Sequence, residues 1–150
     1  MFYGTTRLTM DDKHRLVVPA RPRKKLLDLC GGEVVMTART REFVLLYPEP
    51  EFLALMSRLE VMPDLDQASD DFKRSFTANA RNETIDRAGR LLLCSDLRER
   101  AGLNKSVMLV GRGNRFEIWD EARWNEEARA RDEREQAAEL PPDVVGNFRF

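Results

Sequence analysis

The chain of 150 residues is short of the side chains on which most catalytic sites depend. It has one histidine, His14, and two cysteines, Cys30 and Cys94, which lie far apart and form no C-x-x-C pair. A nucleophile–base–orienter set would have to run through His14, which sits in a charged turn and not in an apolar setting. A metal centre would need His14, Cys30, Cys94 and a carboxylate to meet, and none of the spacings is a ligand pattern. Neither G-x-x-x-x-G-K-[ST] nor G-x-G-x-x-G occurs, and "GRGNR" (111–115) falls inside an expected hairpin. These absences predict no enzyme, no cofactor, no metal and no small-molecule substrate. No apolar run approaches the ~20 residues that span a bilayer, and "MFYGTTRLTMDDK" lacks the grammar of a secretion signal. The cysteines are expected to stay reduced, in the cytoplasm.

Charge is plentiful. Asp, Glu, Lys and Arg make up 34% of the chain against 42% hydrophobic residues, with a net charge of −1. The balance conceals an asymmetry, because residues 1–25 carry a net +5 and residues 117–143 a net −6. A basic front suits a polyanion, and an acidic back would turn away from it. A merely solvated charged surface is the plainer alternative.

The chain also repeats itself. "DDKHR" (11–15) returns 75 residues later as "DRAGR" (86–90), and Leu16, Val17, Val18 and Arg23 return as Leu91, Leu92, Leu93 and Arg98. After a short gap, "EVVMTART" (33–40) matches "SVMLVGRG" (106–113), and "LLYPEPEF" (45–52) matches "EIWDEARW" (117–124) at a slightly different offset. Each unit reads as an acid–Arg turn, a short buried strand, a short basic helix, a hairpin and an amphipathic helix. Pro22 marks the start of the first basic helix. Pro50 opens a helix carrying Phe52, Leu55, Met56 and Leu59, and Asp120 caps one carrying Trp124. Ala68, Phe72 and Phe76 place a further helix on the joint. The expected divisions are a first unit at 5–60, a connecting helix at 61–80, a second unit at 81–137 and a tail at 138–150. Val144, Val145, Phe148 and Phe150 make that tail apolar, although fraying is its default state. A unit of this size buries little core alone, so the two should complete each other. The expected fold is α+β: a small β-barrel of two intertwined halves with pseudo-twofold symmetry, plus flanking helices.

A guanidinium is a planar fork of donors that fits a phosphate or the O6/N7 edge of guanine. Asp11 and Asp86 are too short to reach outward and are better placed to shape their turns. Arg15 and Arg90 are therefore the candidate readers of double-stranded DNA, with Lys13, Arg21, Arg23, Lys24 and Lys25 as phosphate contacts. The alternative pairs both arginines internally with aspartate, so that they read nothing. Two base-reading turns give little specificity alone. A closed homo-oligomer on short direct repeats about 10 bp apart would multiply weak contacts.

With the twin Asp-x-x-x-Arg motifs, "MFYGTTRLTMDDKHRLVVPARPR" and "DRAGRLLLCSDLRERAGLNKSVMLVGRGNRFEIWDEARW", the chain resembles the MraZ family of bacterial transcriptional regulators over roughly residues 1–135. The resemblance implies two tandem swapped-hairpin units of the AbrB type and subunits closing into a ring. It implies DNA binding upstream of the cell-division and cell-wall gene cluster, with repression of that cluster and of the protein's own gene, and so a nucleoid-associated location. The motif arginines fall on Arg15 and Arg90 and the motif acids on Asp11 and Asp86. The family pattern has Gly before the arginine, kept here by Gly89, whereas the first unit has His14, a less comfortable occupant wherever the turn needs positive φ. The competing function is a protein-interaction module acting on a cell-wall or RNA-modifying enzyme. An antitoxin role, as in other AbrB-type proteins, would expect a single unit with a disordered tail.

Overall fold

The sequence repeat is carried into the topology. The computed structural model describes residues 1–148. Its first half runs β1 (Thr5–Thr9), β2 (Arg15–Val17), α1 (Ala20–Cys30), β3 (Glu33–Thr37), β4 (Phe43–Pro48) and α2 (Glu49–Glu60). A connecting α3 (Gln67–Ala78) follows. The second half repeats the order as β5 (Arg81–Thr84), β6 (Arg90–Leu92), α4 (Ser95–Arg100), β7 (Ser106–Gly111), β8 (Phe116–Asp120) and α5 (Glu121–Ala137), and a short α6 (Pro142–Asn147) lies beyond.

Six strands pair antiparallel in the order β1-β7-β8-β4-β3-β5, while β2 and β6 form a separate ribbon. When every strand is exchanged for its repeat partner, that order reads the same backwards. The registers obey the same pseudo-twofold. Thr9 pairs with Ser106 as Thr84 pairs with Glu33, and Arg15 faces Leu92 as Arg90 faces Val17. At the centre Phe43 faces Trp119 and Leu46 faces Phe116. The first strand of each half thus lies on the hairpin of the other half. The α+β class holds, but no closed barrel forms among the described residues. β1 and β5 remain the two edges, and the three-residue strands of the ribbon pair only with each other.

Both faces of the first hairpin are covered, which is why β3 and β4 are almost continuously apolar. One face sets Val34, Met36, Val44 and Leu46, with Val107, Leu109, Phe116 and Ile118, against Leu16 and Leu91 of the ribbon and Leu26 and Leu97 of α1 and α4. The other face packs Val35, Leu45 and Tyr47 under Phe52 and Leu59 of α2 and Phe76 of α3. Asp66 caps α3 by accepting from the Ser69 N–H at 2.7 Å, and Thr37 donates to the Phe76 carbonyl at 2.6 Å, so the connecting helix is docked. Its Ala68 is exposed.

Over the second hairpin α5 buries none of its own residues and leans Trp124 on Trp119, with centroids 5.5 Å apart, while β8 beneath it is buried throughout. A groove of about 650 Å³ is lined by Phe43, Leu45, Tyr47, Phe72 and Trp119 together with the charged Arg39, Glu42, Arg112, Arg115, Glu117 and Glu127.

Three details differ from the sequence reading. α1 starts at Ala20 with Pro19 as its N-cap, because Pro22 in the first turn has no N–H that the helix needs. Asp120 stands at the N-cap of α5, but its carboxylate accepts from the Asn104 N–H at 3.0 Å and not from its own helix. The tail forms the short α6, with Val145 exposed on it and Phe148 exposed just beyond it; Phe150 lies outside the described residues. Among the described residues no helix is long and apolar enough to cross a membrane.

Candidate nucleic-acid interface

Each acid–Arg turn is organised by one carboxylate. Asp11 Oδ1 accepts from the backbone N–H groups of Lys13 and Arg15, both at 2.9 Å, and its Oδ2 accepts from Arg15 Nε at 2.8 Å. Asp86 Oδ1 accepts from Ala88 at 2.9 Å and Arg90 at 2.8 Å, and its Oδ2 from Arg90 Nε at 2.8 Å. The backbone closes both loops alike, from Asp11 N to the Arg15 carbonyl and from Asp86 N to the Arg90 carbonyl, each 3.0 Å. A carboxylate that accepts two N–H groups and a guanidinium favours its charged form. Both aspartates are held below the ordinary value of 3.8, chiefly by the N–H of Arg15 in one turn and of Arg90 in the other.

The residue before each arginine is left-handed: His14 at φ 60° and Gly89 at φ 78°. That conformation turns its carbonyl toward the other half. Gly89 O accepts from Val18 N at 2.8 Å, and His14 O accepts from Leu93 N at 3.0 Å. The two turns are clamped by each other's strands, one at either end of the β2–β6 ribbon.

Strand alternation then fixes which side chains point outward. Leu16 and Leu91 face the core and are 2% and 1% exposed. Arg15, Val17, Arg90 and Leu92 share the opposite face, as cross-strand partners do. Arg15 and Arg90 stand two residues apart along the ribbon, roughly 7 Å. Nε of each is committed to its aspartate, but Nη1 and Nη2 make no protein hydrogen bond among the described residues. Pairing at Nε thus leaves the Nη groups of both arginines uncommitted, on side chains 26% and 38% exposed.

The remaining basic residues are used unequally. Lys13 and Arg21 are exposed. Arg23 is half-buried and reaches across to the second turn, its Nη1 3.4 Å from the Ala88 carbonyl. Lys24 pairs with Asp28 at 2.8 Å, and Lys25 donates to the Met1 carbonyl at 2.9 Å beside the Tyr3 ring. Three further residues stand on this surface that the motifs do not mark. Exposed Arg87 occupies the place that Asp12 holds in the first turn. Val17 and Leu92 belong to runs that read as buried strands and are instead 54% and 43% exposed. Period-2 alternation around Leu16 and Leu91 is the signal that could have found them. Among the described residues no group of His, Cys, Asp and Glu could hold a metal ion.

The family model described as "MraZ protein, putative antitoxin-like" matches residues 1–75 and again 76–140. Similar proteins include three named "Transcriptional regulator MraZ". The one from Marinobacter nauticus is 40% identical over 147 residues, covering 95% of each chain. That from Halorhodospira halophila is 41% identical over 149 residues, covering 99% of this chain and 97% of its own. That from Nitrosomonas europaea is 36% identical over 146 residues, covering 97% and 98%.

Proposed function

The chain belongs to the MraZ family, whose relatives above are named as transcriptional regulators and not as enzymes, and from that premise we propose that it is a sequence-specific DNA-binding regulator. The observation that carries the reading is the pair of aspartate-braced arginines on one outward face of the ribbon. A two-stranded ribbon fits the major groove, and a guanidinium fixed at Nε presents its Nη fork to guanine O6 and N7. Lys13, Arg21 and Arg23 surround the reading face as sources of phosphate contact, with Lys24 and Lys25 in a lesser part because each already has a partner. Units 5–60 and 81–137, joined by the segment 61–80 that holds α3, act as one swapped-hairpin body. The exchange of β1 and β5 between halves supports this.

The regulator represses the cell-division and cell-wall cluster and its own gene, in association with the nucleoid. It acts as a ring of subunits on short direct repeats about one helical turn apart. The outer groove, lined by aromatic and charged side chains, offers a surface for contact between subunits. Footprinting on DNA upstream of its own coding sequence tests the reading: protection of repeated short sites supports it. Equal affinity for that DNA and a scrambled duplex at every salt concentration would reject it.

A further inference from the structure

The outer face of the ribbon carries two arginines on one diagonal and two exposed aliphatic side chains, Val17 and Leu92, on the other. The other apolar residues in and beside the ribbon are well buried: Leu16, Val18, Leu91 and Leu93 are all 3% exposed or less. What sets these two apart from the chain's other exposed apolar side chains is that they stand at matched positions of a pseudo-symmetric pair, each directly across from a motif arginine, where an apolar counterpart on the partner could meet them. In the major groove the apolar group on a base edge is the C5-methyl of thymine.

We propose that Val17 and Leu92 are specificity-determining residues that read thymine methyl groups next to the guanines read by Arg90 and Arg15. This rests on the DNA-reading assignment above. Val17 lies directly opposite Arg90, and Leu92 directly opposite Arg15. Opposed side chains on neighbouring strands stand about 5 Å apart, and successive base pairs about 3.4 Å apart, so each pair spans one to two base steps. Each cross-strand pair therefore recognises a guanine together with an adjacent or next-adjacent thymine. The arginine supplies the hydrogen bonds and the aliphatic group rejects cytosine, whose C5 carries only hydrogen.

The test removes the methyl from the DNA. A duplex from upstream of the protein's own coding sequence is prepared with thymine or with uracil at every position, beside a scrambled control. The unaltered protein is expected to bind the uracil duplex roughly 3- to 10-fold more weakly, on the scale of a small apolar base contact. Val17→Ala and Leu92→Ala should each lower affinity for the thymine duplex and shrink the thymine–uracil difference, with the double variant abolishing it. Both residues are exposed, so the variants keep the fold, as circular dichroism and melting check. A wild-type protein that prefers its own duplex over the scrambled one but binds thymine and uracil duplexes equally overturns the methyl assignment and leaves DNA reading intact. No preference over the scrambled duplex sinks the DNA reading and this inference with it. A change of native mass in Val17→Ala or Leu92→Ala, with the thymine–uracil difference untouched, makes the patch a contact between copies of the chain and also overturns the proposal.

Discussion

The turns at 11–15 and 86–90 share every main-chain and Asp–Arg hydrogen bond, yet they differ in what lies over them. A Cβ built on Gly89 would fall 2.0 Å from Arg23 Nη1 and 2.8 Å from its Cδ, so the first half's arginine lies across the second half's turn. His14 carries the Cβ that Gly89 lacks. The residue matching Arg23 there, Arg98, donates its Nε to the Leu93 carbonyl at 2.9 Å instead. The formal charges of the first turn cancel (Asp11, Asp12, Lys13, Arg15), whereas those of the second sum to +1 (Asp86, Arg87, Arg90) before Arg23 is counted. A pseudo-symmetric backbone thus does not make two equal sites. A further cation has settled over the left-handed position that lacks a Cβ and not over the one that carries it.

The largest expected effect tests whether both turns read bases at all. Arg15→Ala and Arg90→Ala should each weaken binding to the upstream duplex by about 1–3 kcal/mol per repeat contacted and reduce its preference over a scrambled duplex. If one variant loses preference and the other loses only affinity, the two turns have divided their work. If both lose affinity equally on both duplexes, neither turn reads sequence.

The next comparison exchanges the left-handed residues. Gly89→Ala forces a Cβ into φ 78° and displaces the flexible end of Arg23, and should cost about 1–2 kcal/mol of stability. For a chain of this size each kcal/mol corresponds to a melting shift of roughly 2–4 °C. His14→Gly relieves the same strain but adds unfolded-chain entropy, so its net effect on stability should stay within about 0.5 kcal/mol. It also clears the space that Arg98 would need to lie over the first turn. DNA binding should be preserved or strengthened; a collapse would give the imidazole a chemical role.

How much of this was legible in the sequence follows from what each feature depends on. The repeat set the topology, because residues at matched offsets take matched places in a pairing with twofold order. The offset of 75 carries residues 9–23 onto 84–98, and 73 relates β3 and β4 to β7 and β8. The slip in the last match is physical: Leu46 and Trp119 correspond at 73, whereas α2 and α5 start at Glu49 and Glu121, 72 apart, because β4 runs one residue longer than β8. Asp11 and Asp86 were legible as turn-shapers because a short carboxylate near free N–H groups has few other uses. The open sheet was not legible, since closure depends on whether two distant edges meet. Nor was the reach of Arg23 across to Gly89, an approach between halves that no local pattern encodes.

A smaller effect separates the basic helix from the turns. Lys24→Ala and Lys25→Ala should weaken both duplexes by similar factors, and the salt slope should become shallower by about one unit for each phosphate no longer neutralised. Lys24 already faces Asp28, and Lys25 the Met1 carbonyl, so the effects should fall below those of Lys13→Ala or Arg21→Ala. Titrations at several salt concentrations read both quantities. A weakening confined to the upstream duplex would move either lysine onto a base edge.

The smallest effect asks whether the two turns, unlike in what covers them, are alike in what holds them. Asp11 and Asp86 are both depressed below 3.8, each chiefly by the N–H of its own motif arginine. A carboxyl whose folded value lies below its unfolded value contributes stability that is fully present above the unfolded value. That contribution fades as pH falls through the folded value. Both turns should therefore stay intact at neutral pH and through pH 5. They should loosen together only below about pH 4, as protonation weakens the two acceptors, Asp11 for Lys13 and Arg15 and Asp86 for Ala88 and Arg90. Both aspartates lie at the surface, where added salt weakens the guanidinium's share more than that of the directly bonded N–H groups. The amide resonances of Arg15 and Arg90, followed against pH at low and high salt, report the two turns separately. Coincident midpoints that salt barely moves would place the shared backbone geometry above the differing neighbours. A first turn that opens at higher pH than the second would mean that Arg23, lying over Gly89, protects the second turn in a way that the His14 turn lacks.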